Sequence, residues 1–187
     1  MRHFQKIASG VDVVPLLMQL NRNADLWDAN PARRLWPGSA HTAMRDIWVR
    51  MRALDELAGP ETYNTPHLSV WYPAFHALPA LRPILVGPTS IQSRCESVHL
   101  GAVLITKVPP GCQIDPHNDK GAWHSEYHNC KVYIPLQGNE RCTNTCADET
   151  VVMRTGEAWT FDNLVDHSVV NSGEEDRITL IISMRVE

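Results

Sequence analysis

From about Ser97 onward the chain breaks into short β-rich runs, and this constrains its fold more than any other feature. VHLGAVLITKV, CKVYIPLQ, ETVVMRT, EAWTF, HSVVN and DRITLIISM are separated by Gly, Pro, Asn and Asp. Short strands so spaced, with turn residues between them, belong to sandwiches and barrels. The preceding segment reads as helical with loops. Asp12 is placed to cap a helix over VVPLLMQL, with Pro15 tolerated in its first turn. In TAMRDIWVRMRALDELAGP, residues Met44, Ile47, Trp48, Met51, Leu54 and Leu57 recur at spacings of three and four, and Gly59-Pro60 follows. That pattern predicts a helix with Trp48 on its core face. Prolines and glycines between Tyr63 and Pro88 predict turns and one short helix near PAFHAL. The expected fold is mainly β with N-terminal helices (α+β). A helical portion over 1–90 buttresses a jelly-roll-like barrel over 91–187, in one domain. A chain of 187 residues has room for one sizeable core and not for two comfortable ones.

The formal charge of −4 argues against a broad nucleic-acid-binding surface, which needs clustered Lys and Arg. MRHFQKIASGVDVV has no long apolar core and no small-residue cleavage pattern, so no secretory signal is expected. No apolar run approaches the roughly 18 residues that span a bilayer. Five cysteines, an odd number, suit a reduced cytoplasmic protein better than a disulfide framework. The C-x-x-x-C of RCTNTC has no second pair with which to complete a closed zinc site.

The stretch DPHNDKGAWHSEYHN, 115–129, offers two ways to hold a metal. His117 and Asp119 form H-x-D, and both face one side of an extended segment. With a later histidine they make a two-His-one-carboxylate triad, which leaves open positions on Fe(II). His167 is the only histidine after His128. His124 and His128 form H-x-x-x-H, but no Glu follows the first His as it does in H-E-x-x-H. Gly121 and its polar neighbours also favour a loop here. In that case His124 and His128 are lid or substrate-side residues, or simply exposed. H-x-D alone also suits a polar surface turn.

Ten residues after His167, Arg177 opens the strand RITLIIS. Arg177, Thr179, Ile181 and Ser183 share one face, and Ile178, Leu180 and Ile182 the other. An inward Arg in a small barrel demands an anion, and guanidinium pairs carboxylates bidentately. The alternative is a solvent-facing side with Arg177 paired to Glu174 or Asp176. In KVYIPL, Lys131 and Tyr133 share a face, which gives a second polar contact set for a small dianion.

Together these residues resemble the aspartyl/asparaginyl β-hydroxylase family of Fe(II)- and 2-oxoglutarate-dependent oxygenases. The resemblance runs from Gly101 to Arg185 through TKVPPGCQIDPH, HND, KVYIPL, CADETVVMRTGEAWTFDNLVDH and DRITLI. It implies a double-stranded β-helix, of jelly-roll, cupin-like type, with His117, Asp119 and His167 as metal ligands and catalytic centre. It further implies that Arg177 and Thr106 bind the distal carboxylate of 2-oxoglutarate, with O₂ as co-reactant and ascorbate as an aid. Where the family usually has R-x-H, this chain has Lys131 and Tyr133, to which the cosubstrate contacts are transferred. The 119–131 loop is longer than in the animal enzymes.

The implied activity is hydroxylation of an amino-acid, peptide, protein or small-molecule C–H, with no nucleic-acid or membrane partner. Candidate substrate contacts are Trp123, His124 and His128 beside the metal motif, and Trp71 and Tyr72 in SVWYP. Two rivals remain at this point. One is a cupin-like metalloenzyme without a keto acid, and the other is a non-catalytic binding barrel.

Overall fold

The structure, a computed structural model, describes residues 3–187 apart from the side chains of Pro60 and His124. Its strands are β1 (Phe4–Ala8), β2 (Arg45–Arg52), β3 (Ser69–Trp71), β4 (His99–Val108), β5 (Gln113–His117), β6 (Cys130–Gln137), β7 (Cys142–Cys146), β8 (Glu149–Val151), β9 (Ala158–Phe161), β10 (His167–Asn171) and β11 (Arg177–Arg185). Short helices lie between them: α1 (Val14–Arg22), α2 (Ala32–Leu35), α3 (Pro60–Tyr63), α4 (Pro73–Ala77), α5 (Leu81–Leu85), α6 (Ile91–Arg94) and α7 (Trp123–Glu126). The strands form a seven-stranded sheet, β1-β9-β6-β11-β4-β2-β3, packed on a four-stranded sheet, β5-β10-β7-β8. This is the double-stranded β-helix architecture. Among the described residues no helix is long and apolar enough to cross a membrane.

The large sheet is buried on both faces, and its central strand β11 shows why. On the outer face Ile178, Leu180, Ile182 and Met184 pack with Val132, Ile134, Val103, Ile105, Ile47 and Val49. Leu16 and Leu20 of α1, together with Leu78 and Leu81, Ile84 and Leu85 of α5, close over them. On the inner face Ile181 joins Leu104, Tyr133, Trp48 and Phe161. A smaller cluster of Met44, Val108, Ile114, Cys142 and Val169 joins the two sheets at the far end. The alternation expected of RITLIIS is therefore observed, with both sides buried.

Three local expectations are corrected; the first is the loop expected around Gly121, where Trp123–Glu126 form the one-turn helix α7. The stretch 45–52 is strand β2 and not a helix. It pairs with β4 through Asp46↔Thr106 and Trp48↔Leu104, and the register slips between Trp48 and Arg50. That bulge rephases the strand, so Trp48 and Met51 both point inward, three residues apart. Ile47 and Val49 fill the outer face. A strand buried on both faces and broken by a bulge mimics helical spacing. At α1 the N-cap is Val13, without a side-chain cap, and not Asp12; Pro15 does lie in the first turn.

Gly101 sits where β4 and β11 lose register, between the pairs Val103↔Ile182 and Leu100↔Met184. A Cβ there would come within 2.6 Å of the His128 ring. His128 is buried, stacked on His99 at 5.2 Å, with its Nε2 3.0 Å from His99 Nδ1. It cannot swing away cheaply. Gly101→Ala is expected to lower stability by about 1–3 kcal/mol, read from thermal or urea unfolding.

Candidate active site

His117 ends β5 and His167 begins β10, directly opposite each other in the ladder. Their rings lie 4.4 Å apart. His117 Nδ1 lies 2.8 Å from the Asp115 carbonyl, and His167 Nδ1 lies 2.9 Å from the Val165 carbonyl. Donation from Nδ1–H to a carbonyl leaves each Nε2 as the lone-pair nitrogen, the tautomer a metal ligand needs. Burial pushes His167 down to about 4, against an upward pull from the Val165 hydrogen bond, so the ring is neutral near pH 7.

Asp119 completes the group, and the ligating atoms of the three side chains lie within 4.8 Å of one another. It is the only such group among the described residues. Asn163 grips Asp119 twice. The Asp119 N–H donates to the Asn163 carbonyl at 3.0 Å, and Asn163 Nδ2 donates to Asp119 Oδ2 at 3.0 Å. The Lys131 ammonium donates to the same Oδ2. Sequence reasoning missed Asn163, although it stands inside the FDN segment.

Beneath this group the inner face turns polar. Arg177 is 2% exposed and spans the sheets, Nη2 donating to Asn144 Oδ1 on β7 at 2.9 Å. It lies over the Tyr133 ring at 5.7 Å. Its partner is thus neither Glu174 nor Asp176. Thr106 and Thr179 pair across β4 and β11, and both are fully buried. Arg177 Nη1, Thr106 Oγ1 and Thr179 Oγ1 make no hydrogen bond. Burial raises the Tyr133 pKa and lowers that of Arg177.

A cavity of about 340 Å³ opens over His117, Asp119 and His167. Ala102, Leu104, Tyr133, Ile181 and Ser183 supply its barrel wall. The opposite wall comes from Arg33, Trp36 and His41, with Met51, Tyr63 and Asn64. None of these last six was foreseen, and the only signal was a concentration of cation, aromatic and imidazole in RRLWPGSAH.

The structure distributes the remaining candidates unevenly around this cavity. Lys131 and Tyr133 both line it, and the Lys131 ammonium is ion-paired with Asp119. Trp123, His128, Trp71 and Tyr72 are not among the lining residues. Trp123 stacks on Tyr127 at 4.2 Å, and His128 packs on His99. Trp71, on the edge strand, stacks on Phe75 at 4.0 Å. Tyr72 donates its hydroxyl to the Arg52 carbonyl. Each aromatic is spent on packing. The His124 side chain lies outside the described residues.

The chain is similar in fold to the viral collagen prolyl hydroxylase of Paramecium bursaria Chlorella virus-1, solved with 2OG. The TM-score is 0.54 at 10% identity, covering 98% of this chain and 97% of that one. It also matches a cupin domain from Bordetella pertussis (TM-score 0.37, 19% identity, 47% of this chain and 84% of that one). A predicted oxalate decarboxylase from Thermotoga maritima matches with TM-score 0.36 and 19% identity, over 46% of this chain and 68% of that one. No curated protein matches the sequence. The family model described as aspartyl/asparaginyl beta-hydroxylase matches residues 74–186, which include His117, Asp119, His167 and the buried arginine. The chain belongs to the aspartyl/asparaginyl β-hydroxylase family.

Proposed function

We propose that the chain is an Fe(II)- and 2-oxoglutarate-dependent hydroxylase acting on a C–H bond of an amino-acid-like, peptide or small-molecule substrate. The observation that carries this reading is the set of orphaned polar atoms below the histidines. A guanidinium nitrogen and two hydroxyls are buried without partners in one layer of the barrel. Native interiors rarely leave such groups unpaired, and each costs free energy until a ligand satisfies it. A carboxylate held between Arg177, Thr106 and Thr179 would satisfy all three. Arg177, Thr106 and Thr179 lie behind the residues that line the cavity, on the inner faces of β4 and β11, and a diacid would have to span from them to His117, Asp119 and His167. A metal site or binding barrel for a neutral ligand has no use for an inward cation, and the rival readings account for these atoms only with an anionic ligand of their own.

When bound, Fe(II) with the keto acid and O₂ supplies oxidative decarboxylation to succinate and CO₂, the second oxygen atom passing to the substrate C–H as hydroxyl. The protein's own work is positioning. Asn144 fixes one edge of the Arg177 guanidinium and turns the other toward the diacid. The Asp115 and Val165 carbonyls hold the ligating tautomers. Lys131 and Asn163 hold the Asp119 carboxylate in place. Leu104, Ile181 and Ala102 limit water beside the reacting bond.

Anaerobic titration with 2-oxoglutarate, then succinate formation with Fe(II), ascorbate and candidate substrates, tests the reading. Absence of 2-oxoglutarate binding would overturn it. Thr106→Val is expected to weaken 2-oxoglutarate binding about tenfold while raising the melting temperature of the free protein. It removes a hydroxyl that lacks an internal partner yet serves the ligand. His117→Ala and His167→Ala should each lower Mn(II) affinity by roughly 100-fold in paramagnetic-resonance titrations, since each removes one of three ligands.

A further inference from the structure

Arg33 is the cation of the outer cavity wall, and its setting is built. Its Nη1 donates to Asp46 Oδ2 at 2.9 Å, with side-chain exposures of 11% and 5%. Asp46 is fixed on the inner face of β2, opposite Thr106 in the ladder. Burial pulls the Arg33 pKa down, but Asp46 together with Tyr63, Tyr133 and Asp119 outweighs it and holds the guanidinium above its ordinary range. Among the described residues Nε and Nη2 have no hydrogen-bond partner, and the side chain lines the cavity shared with His117, Asp119 and His167. One edge of the fork is thus locked and the other presented. A second unpartnered polar atom stands nearby. His41 Nδ1 is buried without a hydrogen bond, and its ring lies edge-on to His117 at 4.8 Å. Trp36 and Tyr63, edge to face at 4.6 Å, form an apolar wall beside them.

The charges select the ligand. Asp46 answers Arg33 and Asp119 answers Lys131, while Arg177 has no acid. Among the described side chains of this site, Arg177 is thus left without an acid, an excess positive charge that a divalent ion and a dianionic keto acid together leave unchanged. The vacant Arg33 edge and the excess charge point to the same group, a single carboxylate bound bidentately. We propose that Arg33, positioned by Asp46, anchors a substrate bearing one free carboxylate, with His41 as a second polar contact and the Trp36–Tyr63 wall packing its apolar part. This rests on the preceding reading for the chemistry but not for the binding.

The test uses Mn(II)-loaded full-length protein, with and without 2-oxoglutarate. Calorimetry follows the binding of N-acetyl amino acids and small aliphatic and aromatic acids, each matched with its carboxamide. At least one acid is expected to bind about 10- to 100-fold more tightly than its amide. Arg33→Lys, which keeps the charge and loses the fork, should narrow that difference. The paired Arg33→Gln, Asp46→Asn variant, which leaves no buried unpaired charge, should abolish it while 2-oxoglutarate affinity stays within about twofold. Circular dichroism and melting temperature show whether each variant is folded. If no acid binds wild-type protein, if acid and amide bind alike, or if the preference survives in the folded double variant, the proposal is overturned. If 2-oxoglutarate fails to bind wild-type protein, the oxygenase reading falls, and acid-over-amide preference on the Mn(II) protein still decides this one.

Discussion

Burial of β11 on both faces is the constraint from which the rest of the molecule follows. A strand carrying Ile178, Leu180 and Ile182 outward and Arg177, Thr179, Ile181 and Ser183 inward cannot rest on a single partner layer. Its outer face needs α1, α5 and the intervening turns, whose leucines close over it. Its inner face needs the four-stranded sheet, and there the chain buries Arg177. The helical layer and the site are two answers to one strand's burial.

Charge on that inner face is rationed by desolvation. A buried cation without a counter-ion is costly, and most here have one: Lys131 meets Asp119 and Arg33 meets Asp46. Arg177 is the exception, steadied by the neutral amide of Asn144. The backbone takes part as well, since two peptide carbonyls set the histidine tautomers without using a side chain. The site is therefore stiff before any ligand arrives. The stiffness comes from hydrogen bonds among elements that the fold already holds in register.

What could be read from the sequence depended on how cleanly a pattern reports its surroundings. The barrel strands β4, β6, β10 and β11 were legible because apolar runs ended at turn residues. His117, Asp119 and His167 were legible because H-x-D on an extended segment places both side chains on one side. β2 was misread because a bulge turned strand spacing into helix spacing. β7 escaped because CTNTC turns Cys142, Asn144 and Cys146 inward between exposed-side threonines, a polar strand without an apolar signature. Trp123, His128, Trp71 and Tyr72 were chosen for nearness along the chain or for their aromatic character. Packing demand claimed them instead. Arg33 and His41 reach the cavity across long separations that no local pattern encodes, and hydrogen bonds to peptide carbonyls leave no mark on the residues that offer them.

The two walls of the cavity have different standing in the chain. The ligand histidines, Asp119 and the buried arginine fall within residues 74–186, the stretch shared with the family, whereas Arg33, Trp36, His41, Tyr63 and Asn64 precede it. Most of the outer wall comes from α2, α3 and the turns around them, which tolerate replacement better than a strand buried on both sides. The mouth of the cavity and the group that could hold a metal are thus written in separate stretches of the chain. A change to the first leaves the register that brings His117 opposite His167 untouched.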